Sequence, residues 1–441
     1  MNERKVSILH IAPHLGGGIG KVLLNYVVRA KEREMFSHKI VCLDYANDDA
    51  KRIAKKEGLS LNDCFSKKHG ELLKLIEESD IVLIHWWNHP LLYDFLVRTE
   101  LPPCRILMWS HISGYHPPYI FTKPLFDYAD LFVFTTQISF DTVEIKKLNK
   151  RKKEMIRTIW STGGVESVAD VKKRTHKGFN VGYIGTVDYC KLHPDFLDMS
   201  ASVDLEDVKF IVVGCGNEKE IQDEAISKGW GDKFQFLGFV DNIKEYLAIF
   251  DVFGYPLAPY HYGTCDQVLA EAMACGIVPV MLENKMEVSM VEDGVTGLVA
   301  VDKKSYAEAI KKLHDDVQLR TRLSMATKKK AKERFSLDKM IVEWEAVFNE
   351  CLLMKKRKRK WSGKHSGEHV IPSEVFLEST GEYGDVFLNN LEGYDARIEK
   401  FRESPLWQSK TKGTVHHYCS FFPDDKILLR FKEMMEKKIN E

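Results

Sequence analysis

The chain has 441 residues, of which 44% are apolar and 29% charged, so it is long enough for two or three globular domains with a large core. Its 64 basic residues balance 64 acidic residues, which argues against a dedicated nucleic-acid-binding protein, so no nucleic-acid partner is expected. The nine cysteines are odd in number and include no Cys-x-x-Cys pair, a pattern that predicts reduced thiols in a cytosol without a disulfide or a structural zinc.

The N-terminal sequence MNERKVSILHIAP mixes acidic with basic residues, and its apolar run is too short for a signal peptide. No later apolar run approaches the roughly 18 residues that cross a bilayer. We therefore expect a cytoplasmic protein that is either soluble or attached peripherally at the inner face of the membrane.

Short runs rich in β-branched and aromatic residues alternate with helical patterns through residue 350. The first series of predicted strands is KVSILHI, HKIVCL, DIVLIHW, RILMWS and DLFVFTT, and the second is NVGYIG, KFIVVG, KFQFLG, DVFGYP and GIVPVML. Because these runs are continuously apolar, both faces of each strand should be covered, as in a parallel sheet. The predicted fold class is α/β, with two Rossmann-like doubly wound domains.

The polar stretch VESVADVKKRTHKGFN separates the two series and predicts a linker near residues 162–178. We assign residues 1–165 to an N-terminal domain on the acceptor side and residues 166–335 to a second domain that binds a nucleotide sugar. Ligands of such sheets bind at the carboxyl ends of the strands, so two facing domains are expected to form a cleft.

The C-terminal part of the chain begins with an amphipathic closing helix predicted over residues 336–354, with Ser336 as its N-cap. Residues 355–441 are interpreted as a basic linker, KKRKRK, followed by an extension with enough aromatic residues to be ordered but too little pattern to assign a fold. This cluster and KKLNKRKK at 146–153 have two open interpretations, namely attraction to anionic lipid headgroups and simple solvated charge.

The glycine-rich segment HLGGGIGKVL follows the first predicted strand. It fails the Walker A pattern because Leu15 stands where the first glycine is required and Val22 follows Lys21. It also fails the dinucleotide fingerprint, whose sixth position holds Lys21 or Leu23. The segment predicts a turn without Cβ atoms before a helix near Lys21 to Arg29, whose N–H groups can face an anion or a sugar. A tight turn without a ligand is the alternative.

The most specific segment runs from Gly238 to Leu298. Together with its flanking residues it gives, in order, the motifs FLGFVDN, LAEAMACGIVPV and VEDGVTGLV. This order resembles the nucleotide-binding domain of the family 4 retaining glycosyltransferases, which have the GT-B fold of two Rossmann domains facing a cleft. The stretches DIVLIHW, RILMWSHISG and ERFSLDKMIVEWEAVF lie where that family has its strand-end histidines and its closing helix. The resemblance covers residues 1 to about 350.

The resemblance implies donor-binding roles in the second domain. Glu271 corresponds to the family's second motif glutamate, and its two oxygens match the two vicinal hydroxyls of a ribose. Lys191 matches the phosphate-binding lysine, whose charge would stabilise the departing diphosphate. An exposed helix glutamate and an exposed loop lysine are the alternatives. The helix start, where the dipole favours the diphosphate, comprises Thr264, Cys265, Asp266, Gln267 and Val268.

Two further sets of residues follow from the same resemblance. Gly238, Phe239 and Val240 fall where the family holds the nucleobase, with core filling as the alternative. In the first domain, Gly17 and Gly18 would close over the phosphate and sugar of the donor.

The strand-end histidines of the first domain have both functional and structural interpretations. His111 matches the histidine near the transferred sugar, where it would bond a hydroxyl or orient the reacting groups, and a structural histidine is the alternative. His85, Trp86 and Trp87 would offer a sugar-stacking face, but core packing of the two tryptophans is the preferred interpretation.

Two positions depart from the family pattern. Thr186 stands where an arginine commonly accompanies Lys191, and Gly263 stands where the first motif glutamate precedes Glu271. Asp266 is the nearest acid and either recovers part of that role or is an ordinary N-cap. Other side chains that would contact the sugar are Tyr260, His261 and Tyr262.

The resemblance implies a retaining glycosyltransferase of the hexosyltransferase type, which moves a sugar from a nucleotide diphosphate sugar to an acceptor hydroxyl in polysaccharide or glycoconjugate synthesis. UDP is preferred over GDP in the donor, and the acceptor is a glycan or a lipid-linked molecule. The expected catalytic residues are His111, Lys191 and Asp266. No Asp-x-Asp motif occurs, so we expect no metal and no cofactor. A catalytically impaired binding or scaffold subunit with the GT-B fold is the alternative. A GT-B epimerase or phosphorylase is disfavoured, because the EAMACGIVPV context resembles transferases more closely.

Overall fold

The protein is described here by a computed structural model that covers residues 4–33, 35–161 and 163–437. The chain divides into two compact units: the first takes in the chain up to residue 161 and from residue 340 onward, and the second takes in residues 162–339. Residue 162, where the predicted linker begins, lies outside the described residues. The first unit therefore also contains most of the closing helix and the extension that the sequence left unassigned.

The first unit is built on a seven-stranded parallel sheet of order β10-β9-β6-β4-β1-β2-β3. Its strand order reverses between β1 and β4, which is the point where doubly wound sheets bind ligands. All five strands predicted for this half are present. The strands of this part of the chain are β1 Val6–Ala12, β2 Phe36–Cys42, β3 Ser60–Asn62, β4 Ile81–Trp86, β5 Leu101–Cys104, β6 Ile106–Ser110, β7 Tyr115–His116, β8 Tyr119–Ile120, β9 Leu131–Phe134 and β10 Ile156–Thr158.

Helices of this part connect the strands of the sheet. They are α1 Gly17–Ala30, α2 Asp48–Glu57, α3 His69–Glu78, α4 Pro90–Arg98, α5 Lys123–Tyr128, α6 Val143–Lys147 and α7 Lys150–Lys153. The helix predicted near Lys21 to Arg29 is present as α1, but it begins earlier than predicted, at Gly17. Gly16 occupies the N-cap with an extended backbone, so the glycines form the first turn of the helix instead of a loop before it.

The second unit contains a six-stranded parallel sheet of order β13-β12-β11-β14-β15-β16, which again reverses between its first and fourth strands. All five strands predicted here are present. The strands are β11 Phe179–Ile184, β12 Val208–Val213, β13 Phe234–Phe236, β14 Val252–Tyr255, β15 Val278–Leu282 and β16 Leu298–Ala300. The helices are α8 Phe196–Ala201, α9 Glu218–Ser227, α10 Lys244–Leu247, α11 Gln267–Ala274, α12 Lys285–Met290, α13 Lys303–Asp315 and α14 Val317–Arg334.

The C-terminal part is largely helical. Its elements are α15 Leu337–Leu352, β17 Arg357–Arg359, α16 Pro372–Thr380, α17 Gly384–Glu392, α18 Arg397–Glu403, α19 Pro405–Gln408, α20 Val415–Phe421 and α21 Lys426–Glu436. The predicted cap of the closing helix is confirmed, since the Ser336 hydroxyl accepts a hydrogen bond from the Lys339 N–H at 3.2 Å. Trp344 of α15 packs edge-on against Trp109 in the core of the first unit, with ring centroids 4.8 Å apart.

The basic run KKRKRK contains the short strand β17, and its six cations are exposed except for Arg359. β17 pairs antiparallel with β5, and Arg359 is only 3% exposed. Its guanidinium forms an ion pair with Asp130 and donates to the carbonyl of Tyr128 at 3.2 Å and that of Cys104 at 3.1 Å. The interpretation as a basic linker is therefore wrong, because a buried carboxylate and the carbonyls at the ends of α5 and β5 bind the Arg359 cation to the first unit.

Within the described ranges, no helix has both the length and the apolar character that a membrane crossing requires. The cysteines in the same ranges form no disulfide. Short 3-10 helices complete the chain at Lys31–Arg33, Phe65–Lys67, Gln137–Asp141, Gly231–Lys233 and Gly381–Tyr383.

Candidate functional site

In the second unit, the predicted donor-binding residues gather at the carboxyl edge of the sheet, in the loops that follow β11, β13 and β14. Backbone hydrogen bonds join the loops after β11 and β14. The Ala258 N–H donates to the Lys191 carbonyl at 2.8 Å, and the His193 N–H donates to the Pro256 carbonyl at 3.0 Å. Because β11 and β14 flank the point where the strand order reverses, these loops form the edge at which such sheets bind ligands.

Lys191 and Asp266 form a buried ion pair at this edge. Lys191 Nζ lies 3.0 Å from Asp266 Oδ1, and the two side chains are 10% and 9% exposed. Burial opposes the charge on Lys191, but Asp266, Tyr262 and Glu287 together outweigh burial and raise the pKa of the ammonium. Burial likewise opposes the charge on Asp266, and the attraction of Lys191 lowers the pKa of that carboxyl. Both groups are therefore ionised at neutral pH.

Asp266 precedes α11 in the N-cap position, but its side chain makes no capping hydrogen bond. The N–H groups of Leu269 and Ala270 bond to the Asp266 carbonyl, while its carboxylate turns toward Lys191. The interpretation of Asp266 as an ordinary side-chain N-cap is therefore wrong.

Glu271 lies on α11 and is 1% exposed, so it is not a surface helix glutamate. Its Oε1 accepts a hydrogen bond from the Gln267 amide at 2.9 Å, one helical turn earlier. A buried carboxylate held in one orientation can accept hydrogen bonds from paired hydroxyl donors.

His261 and Glu287 form a second buried polar pair beside the first. His261 Nε2 lies 3.2 Å from the Glu287 carboxylate, and the Gly263 N–H donates to His261 Nδ1 at 3.1 Å. Burial lowers the pKa of His261 and the Glu287 carboxylate raises it, with a net rise. The hydrogen bond from Gly263 favours the tautomer with its proton on Nε2. Sequence reasoning missed Glu287, which follows β15 in the mostly polar segment LENKMEV and has no motif to identify it.

The loop after β13 presents an exposed aromatic side chain. Phe239 is 72% exposed, so the core-filling interpretation is wrong for this residue. Gly238 has φ +64°, a left-handed conformation that favours glycine, and its carbonyl accepts the Gly214 N–H at 2.8 Å. Val240 is half-buried. Thr186, after β11, is also half-buried, and its carbonyl accepts the Tyr183 hydroxyl at 2.7 Å.

In the first unit, Gly17 and Gly18 begin α1 beside the carboxyl end of β1. A Cβ added to either glycine would meet no protein atom within 4 Å, whereas one on Gly16 would lie 2.9 Å from the Tyr45 hydroxyl. Packing within the protein therefore explains why position 16 requires a glycine, but it does not explain the glycine at position 18. Gly17 has φ +66°, which by itself favours glycine.

His111 follows β6 and belongs to a chain of imidazoles. Its Nε2 lies 3.1 Å from Nδ1 of His85, and the chain continues through His10 to His38. Sequence reasoning named His111 and His85 but missed His10 and His38. The available signal was a lone histidine inside each of two neighbouring apolar strands. Among the described residues, no group of three or more His, Cys, Asp and Glu side chains is arranged to hold a metal.

Residues of the extension lie against the carboxyl edge of the first sheet. The Lys412 ammonium lies 5.3 Å from the centroid of the Trp87 ring, and the His417 ring is parallel to Trp87. Trp86 and Trp87 are 0% and 5% exposed, which confirms core packing over a sugar-stacking face. The loop after β4 is thus covered by the C-terminal part of the chain.

Residues 167–330 match the family model for glycosyl transferases, group 1. The match contains the ion pair of Lys191 and Asp266 and the buried Glu271. No curated protein matches the chain in sequence.

Solved structures share the fold. HepE (Alr3699) of Anabaena, solved with UDP and glucose, is 15% identical over 78% of this chain and 100% of its own, with a TM-score of 0.62. A glycosyltransferase of Rickettsia africae is 13% identical over 79% of this chain and 99% of its own, with a TM-score of 0.63. The pneumococcal O-GlcNAc transferase GtfA, solved with UDP and GlcNAc, is 11% identical over 79% of this chain and 100% of its own, with a TM-score of 0.62. Together with the two parallel sheets, this likeness shows that the chain has the two Rossmann-like domains of GT-B glycosyltransferases.

Proposed function

We propose that this protein is a nucleotide-sugar glycosyltransferase that moves a sugar from a UDP-sugar to an acceptor hydroxyl with retention of the anomeric configuration. The observation that carries the proposal is the buried pair of Lys191 and Asp266, which lies at the N-terminus of α11 within the segment that matches the glycosyl transferase family. The UDP complexes of HepE and GtfA support UDP as the donor nucleotide.

In the proposed reaction, the Lys191 ammonium and the first N–H groups of α11 stabilise the diphosphate as its bond to the sugar breaks. Asp266 orients Lys191 and, as the nearest acid to Gly263, accepts a hydrogen bond from the sugar. This charge stabilisation is proposed to require no metal and no cofactor. Activity that is unchanged by EDTA is the expected result, and activity that EDTA abolishes and Mn²⁺ restores would contradict it.

Two parts of the nucleoside, the ribose and the base, are proposed to contact different residues on the same edge of the sheet. The ribose hydroxyls donate to Glu271, whose buried carboxylate is already oriented by Gln267. The base packs on the exposed ring of Phe239, since an aromatic face exposed beside a ligand site is suited to stacking. The neighbouring residues proposed to line the donor site are Thr186, Gly238, Val240, Thr264, Cys265 and Val268.

The test is calorimetric titration with UDP and GDP, followed by incubation with UDP-glucose. We expect UDP to bind more tightly than GDP and Glu271→Gln to weaken UDP binding by about 10-fold, the loss of one charged hydrogen bond. Glu283→Gln, at an exposed position after β15, is the matched control. An absence of binding by either nucleotide at millimolar concentration would refute the proposal.

A catalytically impaired binding subunit is the second candidate. Three observations favour it: Thr186 replaces a phosphate-binding arginine, Gly263 replaces the first motif glutamate, and Asp266 already neutralises Lys191. Tight UDP binding without release of UDP from any of a panel of UDP-sugars and GDP-sugars, in the presence of glycan and lipid-linked acceptors, is the result expected of this candidate.

Peripheral attachment to an anionic membrane and a role in polysaccharide synthesis extend the proposal. Exposed cations of two chain segments line one cavity of about 470 Å³ near the amino end of β9, including Arg151, Lys355 and Arg357. Each well-placed cation contributes about 1 kcal/mol near an anionic surface. Sedimentation with phosphatidylglycerol vesicles that weakens on Arg151→Gln and Lys355→Gln substitution would support attachment, and salt-insensitive sedimentation would contradict it.

A further inference from the structure

Four histidines form one hydrogen-bonded chain through the sheet of the first unit. His38 Nδ1 lies 2.9 Å from His10 Nε2, His10 Nδ1 lies 3.1 Å from His85 Nε2, and His85 Nδ1 lies 3.1 Å from His111 Nε2. The rings come from β2, β1 and β4 and from the loop after β6, which are neighbours in the sheet. We call this set the histidine chain.

All four rings of the histidine chain point the same way, since each Nδ1 meets Nε2 of the next ring. A neutral imidazole has one N–H donor and one acceptor nitrogen. All three hydrogen bonds are therefore made only when every ring carries its proton on Nε2 or every ring carries it on Nδ1. The two arrangements differ by one proton gained at one end of the chain and one lost at the other.

Burial keeps the rings neutral, as this exchange requires. His10 and His85 are 0% exposed, and burial lowers the pKa of both well below the usual value, with further repulsion from neighbouring imidazoles. Burial also lowers the pKa of His38 to about 4 and that of His111 to about 3. Tyr26 of α1 is an ionisable side chain that packs on His10 and His38.

The ends of the histidine chain differ from its middle. His38 and His111 are half-buried, and their outer nitrogens, Nε2 of His38 and Nδ1 of His111, have no hydrogen-bond partner among the described residues. His111 lies at the carboxyl edge of the sheet, and His38 lies on the second strand of the sheet beside Phe348 of α15. The histidine chain therefore joins the ligand-binding edge of the sheet, at His111, to a separate and partly exposed position at His38.

We propose that the histidine chain carries a proton from a substrate hydroxyl bound at His111 to solvent at His38. The substrate part of this inference rests on the proposed function, since transfer of a sugar to a hydroxyl releases one proton. The hydroxyl proton passes to His111 Nδ1, and His111 Nε2 gives its proton to His85 Nδ1. His85 Nε2 protonates His10 Nδ1, His10 Nε2 protonates His38 Nδ1, and His38 Nε2 releases a proton to water.

In this scheme His111 is the catalytic residue, and His85, His10 and His38 are positioning residues that act through it. The same geometry also fixes which nitrogen of His111 faces the substrate as an acceptor. A structural role alone would require the hydrogen bonds but not the coordinated change of all four tautomers.

The first test is the ¹⁵N spectrum of histidine-labelled protein at pH 7, which distinguishes the two tautomers and needs no substrate. We expect the four rings to share one tautomer pattern. His38→Phe is expected to shift the tautomer population of His111, but to have no such effect in a His10→Leu background. His69→Phe, at an exposed position on α3, is the control and should leave His111 unchanged. Mixed tautomers, or a His111 signal that ignores His38→Phe, would overturn the proposal.

The second test uses hydrolysis of UDP-glucose, in which water is the acceptor. His10→Gln retains one donor and one acceptor but cannot exchange them, because an amide does not switch tautomers readily. We expect this variant to lower kcat at least about 10-fold with little change in KM, and to change the solvent deuterium isotope effect, since proton transfer of this kind contributes about 10²–10⁴-fold. A wild-type kcat in His10→Gln would overturn the proposal.

These tests separate the two proposals. Failure of the wild-type protein to bind or hydrolyse UDP-glucose refutes the proposed function but leaves the tautomer experiment intact. Coordinated tautomers with unaltered hydrolysis by His10→Gln would refute proton transfer through the chain while the glycosyltransferase stands.

Discussion

The ammonium of Lys191 lies 3.0 Å from the carboxylate of Asp266, and the pair is buried at the edge of the sheet where strand order reverses. Each charge compensates the other in a poorly solvated place, so neither can be removed without leaving its partner unpaired. An incoming diphosphate would share Lys191 with Asp266. The pair thus connects the two departures from the family pattern, since the remaining cation and the nearest acid bind each other.

We expect Lys191→Ala to lower kcat/KM for UDP-glucose hydrolysis by about 10²-fold or more, the cost of losing one donor to a developing oxyanion. Asp266→Asn should lower it less, because Lys191 then keeps its charge for the diphosphate. Steady-state release of UDP measures both effects. Lys219→Ala, at an exposed position of α9, is the control. An equal loss of kcat/KM in this control would contradict the assignment of Lys191 as the phosphate-stabilising cation.

Gly18→Ala tests whether the glycine-rich turn meets a ligand. An added Cβ meets no protein atom within 4 Å, so stability should stay constant or rise by up to about 1 kcal/mol. UDP-glucose turnover should fall about 10-fold if a bound donor lies against this backbone. Gly70→Ala, at the second residue of α3, meets equally open space, so it should change stability to a similar extent and leave turnover unchanged. Unchanged turnover in Gly18→Ala would favour the alternative interpretation, in which the glycine-rich segment is a tight turn that contacts no ligand.

Arg359→Met should lower the free energy of unfolding by about 3 kcal/mol, because it leaves Asp130 buried without its main cation. Urea unfolding followed by tryptophan fluorescence measures this effect. Lys360→Met, at the exposed neighbouring position, should cost less than about 0.5 kcal/mol. The double variant Asp130→Asn with Arg359→Met should recover part of the loss, and simple additivity would show that the two groups do not interact.

The buried histidines should make the protein sensitive to mild acid. The folded protein holds His14 and His38 at pKa values of about 4, chiefly through burial, against 6.5 for a free histidine. Between pH 6.5 and about 4 the unfolded chain therefore binds protons that the folded chain does not, so stability falls as the pH falls. The urea midpoint should decrease from pH 7 to pH 5, and His38→Phe should reduce this decrease. A midpoint independent of pH would contradict the neutral state of these rings.

The ten predicted strands were accessible from the sequence because each coincides with a short apolar run, and six of them, β4, β6, β9, β11, β14 and β15, are buried at every residue. Two strands of three residues, Ser60–Asn62 and Leu298–Ala300, were not predicted, whereas Phe234–Phe236 of the same length was. The extension could not be placed, because its position depends on tertiary contacts such as that of Arg359 with a carboxylate 229 residues earlier. Local propensity carries no information about such a pairing.

The residues of the candidate site likewise divide into those that the sequence could identify and those whose partners it could not. Lys191 and Glu271 could be named from their motif contexts, whereas the pairing of Lys191 with Asp266 spans 75 residues and depends on how two loops meet. The histidine chain depends on strand register: His10 contacts His38 and His85 only because β1 lies between β2 and β4. A lone histidine in an apolar strand indicates a buried polar group but does not identify its partners.

The return of the C-terminal residues to the first unit has a consequence for biosynthesis. The second unit is complete once residue 339 has been synthesised, whereas the first lacks the cation of Asp130 until Arg359 emerges from the ribosome. The second unit is thus able to fold before the first is complete. Until Arg359 is synthesised, the first unit contains Asp130 without the cation that neutralises it. A nascent chain stalled before residue 355 would expose that state to chaperones and proteases.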